Sequence, residues 1–304
     1  MARHLVRVQK KRRGDVRVIL GSGCETGSGG KCTRSERAQA RENSREIRRI
    51  LKNGKVPVRV CGKSCLVGRD GKRGKIMHAK FFLIQKGSDR KVVQTSTNFM
   101  DNQMRHAQDL IVVPDRGLFR FYEQYWNRMW KRQWGSWGGS DARRSQFGSA
   151  NGTVGHAYPR VGRDPVIKVL NQVNCAGKGR VRLINSDPLL RGKGASKRKY
   201  LLVSVLNRLR REGCDVRVIT KDREPFGKVR TRNGVIHNKV LLVDARFDGQ
   251  QRKRQLVFTG SHNLRSDATR GTSDVMLRVE RPWVYRQYVT YFDQNLWKKL
   301  GRKS

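Results

Sequence analysis

The sequence predicts an α/β protein built as two related halves, and three observations predict it. First, the 304-residue chain repeats itself. RHLVRVQKKRRGDVRVIL (3–20) is echoed by LLVSVLNRLRREGCDVRVIT (201–220), and KIMHAKFFLI (75–84) by GVIHNKVLLV (234–243). Second, short β-branched runs alternate with helical patterns in each copy, which calls for strands layered against helices. Third, the copies are joined by 135–165, a stretch rich in Gly and Ser that marks a surface connection. The boundary falls near residue 150. This gives an N-terminal half, 1–150, and a C-terminal half, 151–304, each long enough to bury its own core.

The elements follow in order. A helix over 3–13 ends at Gly14 and leads into a strand with the core DVRVI. Residues 21–36, GSGCETGSGGKCTRSE, form a low-complexity loop. The helix after it, 33–54, spaces Arg and Glu three and four apart and so has a solvated face. A strand carries 75–84, and the next ends in the polar turn QTSTNFMD (94–101). A helix over 116–134 closes the half, with Phe119, Tyr122, Trp126, Met129 and Trp130 along one stripe. Such a stripe can stack bases, but a core face is expected, because Val284, Tyr288, Tyr291 and Trp297 repeat it in the distal helix of the second half, 281–300. That half runs through the strand GRVRLIN (179–185), a helix at about 197–212, DVRVIT, the strand 234–243 and the turn FTGSHNLRSD (258–267). Asn98 to Asp109 and Asn263 to Asp274 both span eleven residues, whereas His78 to Asn98 spans 20 and His237 to Asn263 spans 26. The extra length is expected in the hairpin loop ARFDGQQRKR (245–254).

Symmetry also predicts a strand that the first half lacks. A counterpart of GRVRLIN should precede the helix at 3–13, and Met1 leaves no room for it. The favoured expectation is that the chain is a fragment whose missing strand, together with a secretion signal, lies upstream. The alternative is that the open edge is covered by 21–56 or by a second molecule.

With 68 Lys+Arg against 24 Asp+Glu the net charge is +44. Nucleic acid, an anionic lipid surface or a polyphosphate-like substrate could screen it. No apolar stretch approaches the roughly 18–20 residues of a membrane-spanning helix, and the N-terminus has no apolar signal core. No obligate protein partner is legible.

The chemistry-bearing residues lie in the repeats. His78 and Lys80, like His237 and Lys239, stand two apart inside apolar runs of strand type, so each imidazole lies beside an ammonium on one face. Their apolar neighbours (Ile76, Phe82 and Ile84; Val235, Leu241 and Val243) predict buried strands. A buried Lys calls for an anion. Two such pairs brought together make a phosphate site with an acid and a nucleophile or base. Ser96-Thr97-Asn98 and Ser261-His262-Asn263 add polar donors after a strand end. Asp109 and Asp274 can each accept an imidazole N–H and fix its tautomer. No acidic cluster for a divalent metal accompanies them, so neither metal nor cofactor is expected. His4, His106 and His156 show no ligand spacing and are expected at the surface.

HxKxxxxD followed by GSxN resembles the phospholipase D superfamily, whose signature is two HKD motifs in one chain. The second half matches fully, through His237, Lys239, Asp244 and Gly260-Ser261-His262-Asn263. The first matches at His78, Lys80 and Ser96-Thr97-Asn98 but has Gln85 where the family has an acidic residue and Thr95 where it prefers Gly. The context GCDVRV and DPVIKVLNQVNC is similar to that of secreted bacterial phospholipase D-like proteins. The resemblance implies two pseudo-twofold-related α/β/α halves with the active site at their interface. It implies a metal-independent phosphodiesterase acting on phospholipid head groups through a phosphohistidine, with a nuclease on the same scaffold as the alternative and a non-catalytic anion binder as a third reading. His78 would attack phosphorus and His237 protonate the leaving alcohol. Lys80, Lys239, Asn98 and Asn263 would hold the non-bridging oxygens, and Asp244 would support its motif.

Six cysteines stand at 24, 32, 61, 65, 175 and 214. Three disulfides are expected, Cys175–Cys214 among them, and with them an extracellular location. A zinc site from Cys24, Cys32, Cys61 and Cys65 is the alternative, against its unusual spacing.

Overall fold

The structure, a computed structural model, describes residues 1–12, 14–21, 33–62, 64–66, 76–98, 105–132, 146–159, 164–186, 197–221, 226–263 and 272–301. Cys24, Cys32 and the tip of the turn at 264–271 lie outside the described residues.

The C-terminal half is organised around one large sheet. Its strands are β9 (Arg180–Asn185), β10 (Asp215–Thr220), β11 (Arg230–Asn233), β12 (Lys239–Phe247), β13 (Arg254–Gly260) and β14 (Asp274–Val279). Strands β9, β10 and β11 run parallel, and β12 then turns the sheet antiparallel. Two strands from the connection, β6 (Gln146–Gly148) and β7 (Thr153–Tyr158), extend it, giving the order β11-β10-β9-β12-β13-β14-β7-β6. The expected boundary near 150 lies in the turn between these two strands. The expected loop 245–254 is shorter than its sequence, because β12 runs on to Phe247 and its end pairs with β8 (Val173–Asn174).

The continuous apolar run in β12 follows from cover on both faces. Leu241 and Val243 pack with Val181, Leu183, Val216 and Val218 beneath α4 (Pro165–Asn171) and α5 (Lys197–Arg211). Val240 and Leu242 face the opposite core, shared with the N-terminal half. That second core takes Leu118, Phe119, Tyr122, Tyr125 and Met129 from α3 (Arg116–Lys131), and Val284, Tyr285 and Phe292 from the C-terminal helix. The C-terminal helix comprises α6 (Pro282–Thr290) and a π-wound turn (Tyr291–Trp297) that passes into Lys298–Leu300. Each fully buried large side chain contributes roughly 1.5–3 kcal/mol, so this shared core fuses the halves. The aromatic stripes are therefore core only in part: Trp126 and Trp130 stay half-buried and stack on each other at 5.0 Å.

The N-terminal half repeats these elements in two separate sheets. Helix α1 (Ala2–Arg12) precedes β1 (Val18–Gly21), and α2 (Arg34–Asn53) precedes β2 (Val58–Cys61), which pairs parallel with β1. A meander of β3 (Phe81–Lys86), β4 (Asp89–Thr95) and β5 (Leu110–Val113) stands apart. In the C-terminal half β9 bridges the equivalent strands β10 and β12 with six residue pairs on each side. Among the described residues no strand takes that place between β1 and β3. Ile84, expected to be buried, is 51% exposed, and Leu110 and Val112 on the same face are exposed with it, whereas the equivalent Val243 lies in the core with residues of α4 and α5.

Disulfides join Cys61 to Cys65 and Cys175 to Cys214, which rules out the zinc alternative for the first of these pairs. Cys175–Cys214 clamps the approach to β9 against the turn before β10, closing a loop of 39 residues, which constrains the unfolded chain by about 4 kcal/mol. No helix among the described residues is long and apolar enough to cross a membrane.

Candidate active site

Both HxK motifs lie at a strand entrance rather than within a strand. Residues 76–80 approach β3 in extended form, and Lys239 is the first residue of β12. The reason is visible in their backbone pairing, which reaches across to the other half. Met77 forms a bridge with Ser273 and Ile236 forms one with Ala107. The His78 N–H donates to the Ser273 carbonyl at 2.8 Å, and the His237 N–H donates to that of Ala107 at 2.8 Å. Each motif is therefore docked on the opposite half, His78 on the residue just before β14 and His237 on the approach to β5, where the two halves meet. Val235, on the way to the second motif, is exposed rather than buried.

His78 is buried, with its Nδ1 2.8 Å from Asp274 Oδ1. That contact fixes the tautomer and leaves Nε2 as the basic nitrogen. Asp274 is itself held on both oxygens, by the Ser261 hydroxyl at 2.6 Å and the Thr272 hydroxyl at 2.7 Å. Burial alone would raise the Asp274 carboxyl, but His78, His262 and Lys80 outweigh it and bring it down to about 2. Lys80 donates to the His78 carbonyl at 2.8 Å.

The second motif is held differently. His237 Nδ1 lies 2.8 Å from the Ser96 carbonyl. Lys239 donates to the His237 carbonyl at 2.7 Å, and its ammonium stands 3.2 Å from Nε2. The expected pairing of Asp109 with an imidazole is not what the structure holds. Its carboxylate accepts from Asn238 at 3.1 Å, from Tyr288 at 3.0 Å and from the Thr259 hydroxyl.

A one-residue difference in register explains this. In β4–β5, Thr95 pairs with Leu110; in β13–β14, Gly260 pairs with Met276. Leu110 therefore corresponds to Met276, Asp109 to Val275 and Gln108 to Asp274. The hydrogen bonds agree. The amides of Asp109 and Val275 each donate to the equivalent serine hydroxyl, of Ser96 and of Ser261, at 3.1 Å. The Ser96 hydroxyl donates to Gln108 Oε1 at 3.0 Å, as that of Ser261 does to Asp274. The equal eleven-residue spacings in the sequence thus aligned the wrong residue. Counting back from the distal helices, which begin at Arg116 and Pro282, would have found Gln108.

Other expected residues divide by position. Ser96 and Ser261 are fully buried beside the histidines, and Asn98 and Asn263 follow the ends of β4 and β13, half-buried. Asp244 lies along β12, opposite Gln255, whose amide it accepts at 3.4 Å. Gln85, where the first motif departs, is exposed and donates its amide locally, to the Gly87 carbonyl at 3.3 Å. Of the histidines expected at the surface, His156 is buried and His106 half-buried, 6.4 Å ring to ring from His237. Sequence reasoning also missed Tyr125, whose hydroxyl ties the carbonyl of Tyr158 at 2.5 Å to that of Asp274 at 3.3 Å. Among the described residues, no group of three or more His, Cys, Asp or Glu is arranged to hold a metal ion.

Two docked histidine–lysine pairs on repeated halves coincide with a family match. The family described as cardiolipin synthase, PLD-like domain, matches residues 1–130 and 144–297. The chain belongs to this family. It is thus a member of the phospholipase D superfamily, whose members are phosphoryl-transfer enzymes. No curated protein matches this PLD-like chain in sequence. Among solved structures, polyphosphate kinase from Porphyromonas gingivalis is similar at 10% identity and a TM-score of 0.51 over 96% of the chain. The chain spans 42% of that kinase's length, and what the two share is the fold. Phosphatidylserine synthase from Haemophilus influenzae aligns over 94% of this chain and 82% of its own, at 11% identity and a TM-score of 0.49. Nuc, a phospholipase D family member from Salmonella typhimurium, aligns over 44% of this chain and 86% of its own, at 16% identity and a TM-score of 0.31.

Proposed function

We propose that the chain is a metal-independent phosphodiesterase of phospholipase D type that hydrolyses the head-group phosphodiester bond of phospholipids. The observation that carries this reading is the buried His78, held at Nδ1 by the ionised Asp274 of the other half. A neutral imidazole so held presents Nε2 as a nucleophile. Nε2 attacks phosphorus, the bond to the leaving alkoxide breaks, and His237 delivers its proton to that oxygen. Water then attacks the phosphohistidine, giving up its proton to His237, and frees His78 and the phosphomonoester. Lys80, Lys239, Asn98 and Asn263 would hold the non-bridging oxygens as charge builds. An acceptor alcohol in place of water would make the same centre a transferase.

Lipid is favoured over nucleic acid by the family's own description, cardiolipin synthase, and an anionic membrane surface answers the +44 charge as well as a polynucleotide does. The test is hydrolysis of phosphatidylcholine, phosphatidylglycerol, plasmid DNA and RNA, each with EDTA present. Turnover of a phospholipid is expected, with His78→Ala and His237→Ala each lowering it by about 10³-fold or more. Cleavage of nucleic acid alone would replace the substrate; loss of activity in EDTA with the fold intact would overturn the mechanism.

A further inference from the structure

The two imidazoles sit on equivalent backbones and are held by unlike acceptors. His78 gives its Nδ1 hydrogen bond to a carboxylate, Asp274. His237 gives its own to the Ser96 carbonyl, and the side chain in the structural place of Asp274 is the carboxamide of Gln108, bonded to the Ser96 hydroxyl. We propose that Gln108 divides the labour between the two histidines: an uncharged group at this position leaves His237 the weaker base, which makes it the proton donor and confines the phosphoryl group to His78. The inference rests on the phosphodiesterase reading and adds the residue that sets the roles. Gln108 acts through Ser96 and is a positioning residue.

The physical case is one of charge. Bonding of Nε2 to phosphorus makes the imidazole ring cationic, and a carboxylate on Nδ1–H stabilises that cation, whereas a carbonyl fixes the tautomer without adding charge. A proton donor gains from the opposite setting, because a less basic imidazole gives its proton up more readily. Other described charged and titratable groups face each ring as well. Around His237 stand the Lys239 ammonium, the ring of His106, and Asp109 at one remove behind Asn238, with Tyr288 on its far oxygen. Around His78 stand Asp274 and Lys80, with His262 and Tyr125 acting on Asp274. A carboxylate in both halves would make the two imidazoles near equals; one carboxylate and one amide make them unequal.

The test is a histidine NMR titration of the full chain, with His78→Gln and His237→Gln used to assign the signals. His78 is expected to titrate above His237. Gln108→Glu should raise His237 by about one unit or more and leave His78 in place. Asp274→Asn should lower His78 alone. The reactive form has His78 neutral and His237 protonated, and since His78 titrates higher the acid limb of kcat/KM follows His237. With bis(p-nitrophenyl) phosphate and EDTA, Gln108→Glu should carry that acid limb upward by the same interval and leave the alkaline limb in place, a shift that a merely structural role would not produce. His237 titrating above His78, no response of His237 to Gln108→Glu, or movement of the alkaline limb instead would each overturn the assignment to Gln108. Absence of turnover in every form, with the NMR order intact, would instead defeat the phosphodiesterase reading.

Discussion

At the residue scale the site is defined by one carboxylate. Asp274 is 1% exposed and fully bonded, with its carboxyl depressed to about 2 against an unfolded value of roughly 3.9. A depressed carboxyl stabilises the fold above its unfolded value, and that stability is lost as pH falls through the folded value. Asp274→Asn should therefore be less stable than the wild type at neutral pH. The difference should shrink as pH falls from about 4 towards 2, as denaturant melts at a series of pH values would show. A gap that stays constant down to pH 2 would mean that shape, not charge, is what the site loses. His78, Lys80, His237, Lys239 and both asparagines were legible as residue types at recurring positions. Gln108 was not, because a carboxamide beside an aspartate in QDL gives no local sign that the strand has shifted by one; the distance to the distal helix carries that sign instead.

At the element scale, the five longer helices were read to within a few residues, since an apolar stripe three and four apart survives any register, whereas the two-turn α4 was too short to show one and was not read. The strands were harder. Whether His237 lies within β12 or at its entrance depends on pairing with Ala107, 130 positions back, which no local pattern encodes. Arg182 shows the same limit. It lies fully buried in β9 with ion pairs to Asp215 at 2.6 Å and Asp293 at 3.0 Å, tying the sheet to the C-terminal helix, yet in sequence it is one arginine among many. The end of β13 offers a direct check. Gly260 has φ 152°, and a Cβ there would stand 2.4 Å from the Val275 carbonyl. Gly260→Ala should lower stability by about 1–3 kcal/mol. Thr95 holds the equivalent place in the first half with its hydroxyl bonded to the Asp109 carbonyl at 2.7 Å, so Thr95→Gly should not bring a matching gain. Equal melting temperatures for Gly260→Ala and wild type would refute the strain argument.

At the scale of the whole molecule, the two halves are alike in plan and unequal in connection. One continuous sheet runs through the C-terminal half, while β1–β2 and β3–β5 stand as separate sheets in the N-terminal half. Fewer shared ladders mean fewer amides that can open only when everything opens. Amide hydrogens of β3, β4 and β5 should accordingly exchange by sub-global opening, well before those of β9, β12 and β13. Comparable protection in the two sets would show that the halves unfold as one. The asymmetry reaches the chemistry, because each histidine is docked on the opposite half: His78 comes from the loosely connected side and finds Asp274 on the tightly connected one. Warming the protein should therefore silence the enzyme below the temperature at which its secondary structure disappears, with activity failing as a parting of partners while both His78 and Asp274 are still on folded chain.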